Sequence, residues 1–100
     1  MTEQTTSRAP KQIDHNEAAG RFEYRQEKLI AVLEYTLQGD TITFTHTGVP
    51  SELEGRGIGS QLAHAGLEFA REKGLKVVPL CWFVADYMER HPQYKVLLKS

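Results

Sequence analysis

Glu54-Gly55-Arg56-Gly57-Ile58-Gly59-Ser60-Gln61-Leu62-Ala63-His64-Ala65-Gly66, continuing through Phe69 and Ala70 to Gly74, is the stretch of this 100-residue chain on which the fold turns. Three glycines at alternate positions open a helical pattern directly after an extended segment. Glycine lacks a Cβ, so the backbone can take positive φ there and another molecule can approach closely. The first turn of a helix leaves N–H groups unpaired and carries a partial positive charge. Together these features make a cradle for a phosphate or pyrophosphate; a tight strand-to-helix turn is the competing reading. No Gly-Lys-Ser/Thr follows, which excludes a Walker loop. Leu62 stands where a dinucleotide fingerprint needs its third glycine, and the preceding strands look antiparallel.

Upstream, Phe22-Glu23-Tyr24 alternates as a short strand and Gln26-Glu27-Lys28 turns the chain. Leu29, Ala31, Leu33, Tyr35 and Leu37 share one face of a second strand. Gln38-Gly39-Asp40 is a hairpin signal. Residues 41–47 alternate as a third strand, with Ile42, Phe44 and His46 on one face and threonines on the other. Gly48-Val49-Pro50 breaks it before the glycine loop. Downstream, Leu62, Gly66, Phe69 and Ala70 form the apolar face of a helix that Gly74 ends. Residues 76–81 read as a buried strand, parallel to 41–47 because the crossover between them is right-handed. A last helix, about residues 83–90, buries Val84, Tyr87, Met88 and His91, and Pro92 stops it. The expected fold is α+β: a mixed sheet made of a three-stranded antiparallel meander, a βαβ crossover and a C-terminal helix.

Composition bounds the function. The chain is 40% hydrophobic and 25% charged with a net charge of −1, so no basic excess points to nucleic acid. No apolar run approaches the ~20 residues that cross a bilayer. Residues 1–20 are polar and aperiodic and read as a disordered tail, leaving one small domain over 21–100. A single cysteine forms no internal disulfide, and a cytoplasmic home is expected. The spacing of Cys81 and the histidines does not suit a metal, and His15, His64 and His91 are assigned no chemistry.

Two blocks carry a resemblance: Thr45-His46-Thr47-Gly48-Val49 with the glycine loop, and Val77-Val78-Pro79-Leu80-Cys81 with His91-Pro92-Gln93-Tyr94. Over residues 21–98 the chain resembles the GNAT superfamily of N-acetyltransferases, in its small single-domain YjdJ-type subfamily. Glu54 stands where that superfamily's loop has Gln or Arg. The resemblance implies acetyl-CoA as acetyl donor, an unidentified amine as acceptor, and a monomer or weak homodimer. It places the cofactor against Thr47, Gly48, Val49, Glu54, Gly55, Arg56, Gly57, Ile58, Gly59 and Ser60. The superfamily's acid, a tyrosine of the last helix, falls on Glu89 when its motif is set on Ala85; Tyr87 and Tyr94 lie nearby. Cys81, at the expected thioester and before a helix N-terminus that favours an anion, is a candidate nucleophile or thioester contact. His46 is a candidate base for an amine or for Cys81. Core packing is the competing account of each. Direct transfer is the leading mechanism; covalent transfer through Cys81 and a module that binds coenzyme A or a partner without turnover are the alternatives.

Overall fold

Alternation of apolar and polar residues builds the sheet, and one helix covers its centre. In the computed structural model, which describes residues 13–100, the strands are β1 (Ile13–Asn16), β2 (Arg21–Gln26), β3 (Leu29–Gln38), β4 (Thr41–Gly48) and β5 (Lys76–Pro79). They lie in the order β1-β2-β3-β4-β5. The first four are antiparallel neighbours, and β5 runs parallel to β4 with Ile42 opposite Val77. The mixed α+β sheet expected from the periodicity is therefore present. Helix α1 (Ile58–Lys73) crosses from β4 to β5, and α2 (Trp82–Arg90) packs beside it.

The core lies between α1 and the sheet. Ala31, Leu33, Ile42, Phe44, Leu62, Leu67, Ala70 and Val77 are all fully buried. A side chain the size of Leu or Phe contributes about 1.5–3 kcal/mol when removed from water in this way. Gly74 closes α1: its N–H reaches the Ala70 and Arg71 carbonyls, and the Leu75 N–H donates to Ala70 O at 2.9 Å.

Two boundaries differ from expectation. The ordered domain does not begin at residue 21, because Ile13–Asn16 forms edge strand β1. Its anchor is His15, whose ring stacks on Phe22 at 4.0 Å, meets Phe69 edge-on at 4.5 Å, and hydrogen-bonds the Tyr35 hydroxyl at 2.6 Å. Phe22 faces it across the β1–β2 pair, but Tyr35 and Phe69 are distant in sequence from a segment without local periodicity. The rest of the expected tail, residues 1–12, lies outside the described residues. The final strand stops at Pro79 rather than at residue 81; proline offers no N–H to continue a ladder.

Candidate functional site

The parting of β4 from β5 makes the site. Their last register pair is Phe44 with Pro79. The Cys81 N–H still donates to Phe44 O at 2.9 Å, while β4 runs on to Gly48 without a β5 partner. A cavity of about 830 Å³ occupies the gap. His46, Thr47, Gly48 and Val49 form one wall, Leu80, Cys81, Trp82 and Phe83 another. Glu54, Gly55, Gly57, Ile58, Gly59 and Ser60 form the third. The predicted residues thus converge, with one exception. Arg56 is not in the lining; its guanidinium lies over Gln26, 3.5 Å from Oε1.

The third wall contains the open first turn of α1. Gly57 is the N-cap of α1, left-handed at φ 75°, and no side chain caps the helix. The first intrahelical bond runs from Gln61 N to Gly57 O, so the N–H groups of Ile58, Gly59 and Ser60 precede it. No acidic residue occupies the first turn. A Cβ built on Gly55 or Gly57 meets nothing within 4 Å, so the loop surface is open to an approaching group. Gly59 serves a different purpose: its Cβ would lie 2.7 Å from Phe83 Cζ, so glycine there lets α2 close onto α1.

A β-bulge redistributes the two candidate catalytic residues. Glu34 pairs with His46 but Tyr35 pairs with Phe44, so Thr45 is an extra residue in β4. Alternation restarts beyond it. Thr47, opposite the buried Leu33, takes the inward face that plain alternation gives to His46. His46 turns to the opposite face and is exposed. Consequently Cys81 meets Thr47 across the gap, Sγ to Oγ1 at 3.1 Å, and not His46. Cys81 is 8% exposed and is the N-cap residue of α2. Beside it, Leu80 and Trp82 are 70% and 75% exposed at the cavity mouth.

Neither tyrosine reaches this lining. Tyr87 is buried with its ring stacked on His91 at 4.0 Å. Tyr94 is buried too, donating its hydroxyl to Glu68 at 2.5 Å and meeting His64 Nδ1 at 3.0 Å. Burial, and then the Glu68 carboxylate, push the Tyr94 hydroxyl well above its ordinary value. The same bond from Tyr94, with Arg71 beside it, holds the Glu68 carboxyl low. These groups tie α1 to the chain after α2. Reading the sequence alone misses Arg90, which lines the cavity. Its visible signal is a pair with Asp86 one helical turn earlier, 3.0 Å away, which reads as ordinary surface charge. Among the described residues no cluster of three or more His, Cys, Asp or Glu could hold a metal. No described helix is long and apolar enough to cross a membrane.

Comparison with known proteins points in one direction. A family model described as GCN5-related N-acetyltransferase matches residues 21–97. The chain is 36% identical over 86 residues to Protein NATD1 of Gallus gallus, covering 83% of this chain and 78% of that protein. It is 35% identical over 86 residues to Protein NATD1 of Homo sapiens, covering 83% and 76%. Its fold superposes on the solution NMR structure of a GCN5-like protein from Staphylococcus aureus with a TM-score of 0.69, at 29% identity and with 93% and 92% of the two chains covered.

Proposed function

The chain belongs to the GCN5-related N-acetyltransferases, and from that premise we propose that it moves an acetyl group from acetyl-CoA to an amine. One observation carries the reading: the glycine loop, the parted ends of β4 and β5, and Cys81 line a single cavity. Its groups fit the donor. The N–H groups of Ile58, Gly59 and Ser60 and the positive end of α1 suit a pyrophosphate, each contact worth ~0.3–1 kcal/mol. The unpaired edge of β4 from Thr45 to Gly48 offers backbone donors and acceptors to an extended amide-bearing arm. When bound, acetyl-CoA supplies an activated thioester. Thr47 and Cys81, which meet across the gap, are the side chains that would lie against that thioester in this reading.

Direct transfer to the amine is the leading mechanism because the group facing Sγ is the Thr47 hydroxyl, which is no base for a thiol. His46, turned outward by the bulge, takes the proton of an arriving ammonium ion and frees its lone pair for attack. A second reading has its own support. Cys81 lines the cavity at the α2 N-terminus with the Thr47 hydroxyl 3.1 Å from Sγ, and in this reading its sulfur takes the acetyl group with release of coenzyme A as the free thiol, then passes it to the amine. The domain works as a monomer or weak homodimer in the cytoplasm.

Calorimetry with acetyl-CoA tests the cavity. Gly57→Leu should keep the circular dichroism spectrum of the parent and lose acetyl-CoA binding; a folded variant that binds as tightly as the parent removes the phosphate cradle. An amine screen that detects released thiol then tests turnover. Coenzyme binding with no thiol release from any amine would make the domain a binding module. Intact-mass spectrometry of the parent separates the two mechanisms, since an acetyl adduct that is absent from Cys81→Ala would select the covalent one.

A further inference from the structure

Between α1 and the β1–β2 edge lies a second cavity of about 550 Å³. Its apolar walls are Ile13 on β1, Phe22 on β2, Ala65 on α1 and Tyr87 on α2. Its polar lining comes mainly from Gln61, His64, Glu68 and Glu72, successive turns of one side of α1. Of the described lining residues, the two cavities share Ser60 alone.

The chemistry of this lining is one-sided. Neither lysine nor arginine occurs among the described lining residues. Glu68 is already engaged, one oxygen by Tyr94 and the other by Arg71. His64 is engaged as well, its Nδ1 3.0 Å from the Tyr94 hydroxyl that donates to Glu68. Among the described residues Glu72 has no ion-pair partner. Gln61 Oε1 is buried without a hydrogen-bond partner. A buried acceptor in that condition carries an unrecovered desolvation cost, which a ligand N–H would remove. The Ser60 and Tyr87 hydroxyls in the lining can donate or accept, so the groups that only accept are Gln61 Oε1 and the anionic Glu72, set in a largely apolar cavity of a size that suits a small molecule. The complementary ligand has an aliphatic body, N–H donors and a positive charge.

We propose that the cavity between α1 and the β1–β2 edge binds a primary alkylammonium ion, its chain against Ile13, Phe22 and Ala65 and its charged head toward Glu72. This site is distinct from the coenzyme cavity and does not rest on the acetyltransferase reading. The test uses the full chain without coenzyme, titrated with n-hexylamine at neutral pH and followed by amide NMR. Hexanoate and 1-hexanol serve as probes of the same length. Hexylamine should give saturable shifts at Ile13, Phe22 and Ala65, and should bind more tightly than either control. Glu72→Gln should weaken it about fivefold, the scale of one exposed ion pair. Ala65→Leu, which fills the cavity, should abolish it. The proposal is overturned if hexanoate binds as well as hexylamine, or if the shifts are confined to residues 46–60. Unchanged affinity in both the Glu72→Gln and Ala65→Leu variants overturns it as well.

Discussion

Gly57 and Gly59 stand two residues apart in one loop and meet different demands. Gly57 is left-handed with open space where a Cβ would be. Gly59 is pressed against the Phe83 ring. Adding a methyl group at Gly59 therefore tests packing, not phosphate binding. Gly59→Ala should cost about 1–3 kcal/mol in urea denaturation, the usual penalty of overpacking. A smaller partner should relieve it. The double variant Gly59→Ala with Phe83→Leu should lose less than the sum of the two single variants, and strictly additive losses would show that the ring is not the obstacle.

At the scale of the element, β1 is held by one titratable side chain. His15 lies among Phe22, Tyr35 and Phe69, with Glu17 3.8 Å from Nδ1. Burial lowers its folded-state value below the ordinary 6.5, and Glu17 works weakly in the other direction. The unfolded chain therefore binds the proton more readily. The contribution of neutral His15 is present above pH 6.5 and is lost as pH falls from there toward the lowered folded value. Thermal melts should lose stability over that window, with hydrogen exchange of the β1–β2 amides rising first. His15→Gln should flatten the dependence. A parent melt that is level between neutral pH and pH 5 would show that β1 is held by other contacts.

For the whole molecule, carboxylates set the acid limit. Glu23 is only 3% exposed on the sheet face opposite Phe22 and Tyr24. Arg21 reaches it at 2.6 Å, Asn16 at 3.1 Å and Arg25 at 3.2 Å. The Arg21 hydrogen bond outweighs burial and holds the Glu23 carboxyl below its ordinary 4.5. Glu68 is lowered by Tyr94 and Arg71. Groups lowered on folding stabilise fully above their unfolded value and lose that contribution as pH drops through the folded one. Acid unfolding should therefore steepen below pH 4.5, separately from the His15 window. Glu23→Gln should be less stable at neutral pH and show a shallower acid limb in pH-dependent melts. An acid limb identical to the parent's would remove Glu23 from the account.

Local chemistry determined much of this protein before any folding. Alternation in residues 22–24, 29–37 and 41–44, the Gln38-Gly39-Asp40 turn, the glycines opening α1, Gly74 closing it and the apolar stripe of α2 each act within a few residues, so β2, β3, β4, both helices and the glycine turn into α1 were legible. The parallel pairing of β4 and β5 followed from the strand-helix-strand order, since a helical crossover returns the chain to the same end of the sheet. The residues facing Cys81 were decided elsewhere. The Thr45 bulge exists only through the register of β4 against β3, and one extra residue reverses every later side chain, exchanging His46 for Thr47. β1 likewise depends on rings supplied by β2, β3 and α1. Gly59 answers to Phe83 of α2, and Tyr94 to His64 and Glu68 of α1. Backbone preference is a near-neighbour property carried by the sequence, whereas side-chain direction beyond an irregularity and contacts between distant elements exist only once the layers have packed.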